Sequence, residues 1–182
     1  MAAKSDIYLG NPNLKKANTQ TEFTQEHIAE FLKCKDDPVY FTETHIKIVN
    51  VDEGLVNFNM YKFQKKLIKN FHKNRFNICK MPRQTGKSTT VVSYLLHYAI
   101  FNDNVNIGIL ANKAATARDL LGRLQLAYEN LPSWMQQGII AWNKGSMELE
   151  NGSKIIAAST SASAVRGMSF NIIFLDEFAF VQ

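Results

Sequence analysis

Residues 76–81 form a short, largely apolar run and residues 91–101 a longer one. Between them stand Pro82, Arg83, Gln84, Thr85, Gly86, Lys87 and Ser88. A strand that breaks into a Gly-Lys-Ser turn and resumes as an apolar helix is the arrangement a nucleoside triphosphate needs. Backbone N–H groups of the loop and of the helix start face a phosphate there. Lys87 would neutralise charge on the β- and γ-phosphates, and Ser88 would place its hydroxyl on Mg²⁺. The usual first glycine of the G-x-x-x-x-G-K-[ST] pattern is absent, since Met81 occupies it. A bare Gly-Lys-Ser occurs by chance, so the flanking runs carry the reading.

Downstream the pattern alternates between β and α. Residues 105–111 read as a buried strand, residues 114–130 as a long helix, and residues 172–175 as a last strand, apolar throughout. The loop helix is expected at about 87–101. Residues 147–156 read as a hairpin around Asn151-Gly152, a pair that supplies the positive φ angles of a tight turn. The order predicts an α/β fold: a P-loop NTPase three-layer architecture with a mostly parallel sheet and helices on both faces, incomplete at its C-terminus. Upstream, Thr24 reads as the N-cap of a helix carrying Ile28, Phe31 and Leu32, which Asp37-Pro38 ends. Two short strands flank the turn Asp52-Glu53-Gly54, and Phe63, Leu67, Ile68 and Phe71 mark an amphipathic helix. Residues 1–20 are polar and expected to be poorly ordered. Residues 1–57 thus read as an N-terminal extension and small subdomain, and residues 58–182 as the ATPase core.

The run Ile172, Ile173, Phe174, Leu175 ends in Asp176 and Glu177. A buried strand would deliver both carboxylates to the sheet edge where ligands bind in open α/β folds. Asp176 would hold Mg²⁺ and Glu177 would orient and polarise the attacking water. Alone, such a pair is often a surface loop; downstream of a phosphate loop it gains a role. Arg83 can reach the γ-phosphate from the same chain, worth on the order of 10³–10⁵ in rate, or remain a solvent-facing loop arginine. Gln64, 23 residues before Lys87, offers an amide that matches an adenine edge, or is an ordinary helix residue. Arg166-Gly167 either senses nucleotide or DNA or forms a plain turn.

Charge and cysteine usage bound the rest. Net charge is +5, and no acidic residue lies between Glu53 and Asp103, a stretch holding nine Lys and Arg residues. It is a phosphate-attracting region or a solvated basic face. Cys34 and Cys79 show no metal-ligand spacing and suit a reducing cytosol. No apolar run reaches a membrane span, and the first residues show no secretion signal.

The segments YKFQKKLIKNF, MPRQTGKST, GILANKAATARDLLGRLQ, LPSWMQQGIIAWNKGSMELENGSKI and SASAVRGMSFNIIFLDEFAFV together resemble the large terminase subunit of large tailed bacteriophages. The resemblance covers residues 58–182. It implies an ATPase that pumps viral DNA into a procapsid, with ATP and Mg²⁺ as cofactors. The implied partners are double-stranded DNA, the portal protein, the small terminase subunit and further copies in a ring. The implied location is the host cytoplasm, transiently at the procapsid portal. By position, Gln64 resembles the adenine-motif glutamine and Arg83 the in-cis arginine. Gln84, Thr85, Gly86, Lys87 and Ser88 or Thr89 match the phosphate and magnesium positions, and Asp176 and Glu177 the metal and catalytic carboxylates.

The chain ends five residues after Glu177. In the family, further ATPase strands and a nuclease follow, one strand lying between the phosphate-loop strand and the Asp-Glu strand. The resemblance therefore implies a fragment, a split-gene half or a truncated reading frame, which alone aggregates or hydrolyses ATP poorly. Two other readings stay open: a helicase-like DNA translocase, and a nucleotide-binding fragment inactive without its missing C-terminal part.

Overall fold

The structure is a computed structural model that describes residues 6–50, 52–161 and 167–177. Nine strands and five helices are formed among them. The chain opens with a hairpin, β1 (Ile7–Tyr8) and β2 (Asn11–Lys15). From residue 6 onward this corrects the expectation that residues 1–20 are poorly ordered; residues 1–5 lie outside the described residues. Leu14 is buried, the Lys15 amide donates to Gln136 Oε1 at 3.1 Å, and Lys16 bridges Ile139. The anchors lie more than a hundred residues away, so local composition could not reveal them.

Helix α1 (Gln25–Asp36) starts where Thr24 predicts, with Thr24 Oγ1 accepting from the His27 amide at 3.1 Å. Its facing differs from expectation: Ile28 and Leu32 are about half exposed, and Cys34 is the buried residue. Asp37 ends α1 and also begins α2 (Pro38–His45), its carboxylate accepting from the Val39 and Tyr40 amides. Strands β3 (Lys47–Asn50) and β4 (Gly54–Asn57) form the expected antiparallel pair. Helix α3 (Lys62–Lys73) follows, burying Ile68 and Gln64 and exposing Lys62, Lys66, Lys69 and Lys73.

Helix α4 (Lys87–Phe101) is the loop helix, apolar nearly all round and therefore buried. Then come β5 (Asn106–Ala111), α5 (Ala114–Glu129), β6 (Ile139–Trp142), β7 (Ser146–Leu149), β8 (Lys154–Ser159) and β9 (Ile172–Asp176). The sheet order is β6-β7-β8-β5-β9. It is mixed rather than mostly parallel. β5 runs parallel to β8 and β9, whereas the Asn151-Gly152 turn returns β7 antiparallel to β8, and β6 is antiparallel to β7. Gly152 takes φ 79° at that turn, and Asn151 Nδ2 donates to the carbonyls of Ala99 and Asn102, satisfying the C-terminal end of α4.

Helix α5 packs on β5 and β8, α4 on α5, and α2 and α3 on α4. The helices thus stack away from one side of the sheet; a second helical layer is not formed among the described residues. The core joins Leu95, Leu96 and Ile100 of α4, Leu120, Leu121 and Leu124 of α5, and Ile107, Ile109 and Ile155 of the sheet. Two strand expectations change. Residues 76–81 pair with nothing among the described residues, and Phe76 and Ile78 are 83% and 99% exposed. β9, whose apolar run reads as that of a central parallel strand, has β5 as its single neighbour among the described residues and exposes Ile173 and Leu175. Among the described residues, no helix is long and apolar enough to cross a membrane.

One buried group makes the fold sensitive to acid. His97 on α4 is enclosed by Phe41 and Phe101, with Nε2–H donating to the Cys34 carbonyl at 2.8 Å. Burial holds its pKa down to about 4, against 6.5 for a free imidazole. Below pH 6.5 the unfolded chain takes a proton that the folded chain refuses. The His97 contribution to stability is therefore full above about 6.5, falls as pH drops toward about 4, and levels off below. The expected loss is about 3 kcal/mol. Urea titrations over this range check it, and His97→Gln should remove most of the slope.

Candidate functional site

Between α3 and α4 the chain crosses the surface without regular structure until the loop at 82–86 turns it into the helix. Thr85 Oγ1 donates to the Pro82 carbonyl at 3.1 Å, which closes the loop. Gln84 and Gly86 both take positive φ, 61° and 71°. Left-handed residues in such turns are the backbone form from which anion-binding concavities are built. The first helical bond of α4 runs from the Thr90 amide to the Gly86 carbonyl at 3.0 Å. The amides of Lys87, Ser88 and Thr89 precede it and have no intrahelical partner. No side chain caps this end and no acid lies in its first turn.

Gln64 reaches this loop from α3. It is 3% exposed, its Nε2 donates to the Thr85 carbonyl at 3.1 Å, and its Oε1 accepts from the Tyr61 amide at 2.8 Å. The side chain thus caps its own helix and holds the loop at once. One amide N–H and one lone pair remain for another partner. Pattern reading offered Gln64 an adenine edge or a plain helix position and named neither of these two roles; for the cap, the i to i+3 spacing from Tyr61 was the available signal.

The second motif arrives on β9. Parallel pairing of β9 with β5 sets Asp176 opposite Ala111 at the C-terminal end of both strands. Asp176 is buried, and its Oδ1 lies 4.0 Å from Lys87 Nζ. That oxygen makes no hydrogen bond among the described residues, so a buried acceptor is left open there beside a cation. Glu177 follows, exposed and held at φ 51°. A non-glycine residue in the left-handed region costs about 1 kcal/mol or more, and such residues concentrate at functional sites.

The structure thus brings Gln64, Thr85, Gly86, Lys87 and Asp176 together. Ser88 and Thr89 follow on the first turn of α4, half-buried, while Gln84 and Arg83 are exposed on the loop. Arg83 has no ion pair or hydrogen bond among the described residues. Cys79 lies near enough to Lys87 that the ammonium tempers the upward push of burial on its thiol. Arg166 lies outside the described residues. On α3, Lys65 pairs with Glu43 at 2.7 Å, and the other lysines face solvent. Chemically, the loop and helix start can hold an anion, and the open Asp176 oxygen with the hydroxyls of α4 can hold a hard cation beside it.

Residues 78–182 match the family described as terminase large subunit, T4likevirus-type, N-terminal. The chain is also similar to the crystal structure of the HK97 bacteriophage large terminase, with a TM-score of 0.66 and 19% identity. The match covers 81% of this chain and 32% of that one, so the chain spans about a third of that protein's length. At that identity the likeness speaks to the fold.

Proposed function

We infer function from one fact of kinship: this chain belongs to the terminase large subunit family of T4-like type, whose N-terminal part it matches. Its role is to bind ATP with Mg²⁺ and hydrolyse it as the motor segment that drives viral DNA into procapsids. The supporting observation is the buried Asp176 oxygen, without a hydrogen-bond partner among the described residues and 4.0 Å from the Lys87 ammonium at the start of α4. An orphaned carboxylate oxygen facing a lysine at a helix N-terminus fits a metal–phosphate pair, and a plain structural ion pair would close to hydrogen-bond distance.

In this P-loop reading, the backbone of Gln84, Thr85 and Gly86 and the ammonium of Lys87 hold the β- and γ-phosphates. Ser88, with Thr89 beside it, and Asp176 hold Mg²⁺. The ion, when bound, neutralises charge shared between the phosphates. Arg83 swings from the exposed loop toward the γ-phosphate, where it stabilises developing charge. Glu177 orients and polarises the attacking water. Gln64 offers its remaining amide N–H and lone pair to the adenine edge while still holding Thr85. Partners are double-stranded DNA, the portal protein, the small terminase subunit and further copies in a ring, in the host cytoplasm at the procapsid portal.

A second reading has its own observation. Among the described residues, the run at 76–81 is unpaired and β9 has an open edge, so the loop has no strand beneath it there. A loop so supported binds nucleotide but turns it over only once a further strand pairs there. Fluorescent-ATP binding and phosphate release on the full chain separate the two. Glu177→Gln is expected to bind ATP–Mg²⁺ as the parent does and to lose about 10²–10⁴ in turnover. Undiminished turnover in that variant removes Glu177 from its role. Binding without turnover by the parent chain selects the second reading.

A further inference from the structure

Far along the chain from the phosphate loop, Glu30, Cys34 and His45 bring a carboxylate oxygen, a sulfur and an imidazole nitrogen within 4.8 Å of one another. Glu30 and Cys34 share a face of α1 at i and i+4, and His45 closes on them from the last turn of α2. His45 Nε2 is 2.8 Å from Glu30 Oε1, and Cys34 Sγ is 3.7 Å from the same oxygen. We propose that these three side chains form a site for zinc, with water as the fourth ligand.

Thiolate, imidazole and carboxylate are the donors zinc takes, at bond lengths of about 2.3, 2.0 and 2.1 Å. A tetrahedral shell with those bonds sets ligand atoms roughly 3.3–3.6 Å apart. The sulfur–oxygen separation already fits, and the nitrogen–oxygen pair opens by about half an ångström. Burial favours closure on one side: Cys34 is fully buried, and the His45 side chain is 11% exposed. The Glu30 side chain is 27% exposed, which gives the ion an entry and water a place to bind.

Outer contacts orient these donors as they do in metal sites. Tyr40 donates its hydroxyl to Glu30 Oε2 at 3.1 Å, and Lys33 Nζ lies over the Tyr40 ring, 3.6 Å from its centroid. The rings of Phe41 and Trp134 flank His45. The Cys34 carbonyl accepts from His97 of α4. An ion here would staple α1 to α2 and, through that hydrogen bond, to the helix that starts at Lys87. The spacing Glu30, Cys34, His45 carries no recognised metal signature, because the turn at Asp37-Pro38 folds the two helices together.

The test uses the untagged full chain. After dialysis against metal-free buffer it should retain one zinc per chain, and Co²⁺ exchange should give a thiolate-to-cobalt charge-transfer band. The chain has two cysteines. Cys79→Ser should keep the band and Cys34→Ser should lose it. Should Cys34→Ser fail to fold, Glu30→Gln on the solvent side serves, with zinc affinity expected to fall at least about tenfold. Removing zinc from the parent should lower its melting temperature by several degrees. Substoichiometric zinc with no charge-transfer band in the parent, a band that survives Cys34→Ser, or unchanged zinc affinity in Glu30→Gln would overturn the proposal.

Discussion

Replacing Lys87 with alanine is expected to weaken ATP–Mg²⁺ binding about a hundredfold and to abolish any turnover, with the fold left intact. The size follows from charge. An ammonium on phosphate oxygens makes hydrogen bonds worth about 1.5–3 kcal/mol against water, and each 1.4 kcal/mol is tenfold in affinity. Survival of the fold follows from position. Lys87 is the first residue of α4, its side chain is 27% exposed, and its single ion-pair contact among the described residues is the long one to Asp176. Alanine is a good helix former there. The cost left behind is a buried Asp176 carboxylate that loses its neighbouring cation, about 1 kcal/mol. Lys87→Arg should not rescue, since a planar guanidinium is larger and differently hydrated than a point ammonium. Equilibrium titration with a fluorescent ATP analogue, beside circular dichroism, reads both halves. Binding within a few fold of the parent would detach Lys87 from the phosphate and leave the Lys87–Asp176 contact as an ordinary ion pair.

How much of this was legible depends on how far each feature's cause lies along the chain. The Asn151-Gly152 hairpin and helix α4 are local, and both stand where the residues place them. The Thr24 cap is local too. β9 was legible as a strand from its four apolar residues, but its place at the sheet edge was not, because strand order comes from non-local pairing. Residues 76–81 carried a strand's composition and lie unpaired among the described residues, since composition cannot provide a hydrogen-bonding neighbour. Asp37-Pro38 was readable as a stop; that the same carboxylate starts α2 required the geometry of both helices. The N-terminal hairpin depends on Gln136, whose Nε2 also donates to the Asn13 carbonyl. At the site, Lys87 and Asp176 were named from motifs 89 residues apart, and the parallel register of β5 and β9 brings them together. Gln64 as the support of the loop was hidden, because Thr85 is its partner only in three dimensions.

That support leads to the second large effect. Gly86→Ala is expected to destabilise the chain by about 2–5 kcal/mol and to impair nucleotide binding with it. Two costs combine. Gly86 sits at φ 71°, where an L side chain costs about 1–2 kcal/mol. A Cβ built there would lie 2.6 Å from Gln64 Nε2, closer than such atoms approach. Gln64 cannot step aside freely, because it is buried and bonded at both ends, to Tyr61 and to Thr85. Displacing it breaks a buried hydrogen bond and opens the loop, about 1–3 kcal/mol more. The two costs separate in a double-mutant cycle measured by urea unfolding. With Gln64 already shortened to alanine the clash is gone, and Gly86→Ala should then cost only the backbone term, about 1–2 kcal/mol. An equal penalty in both backgrounds would mean that Gln64 does not brace the phosphate loop, and the loss would belong to backbone strain by itself.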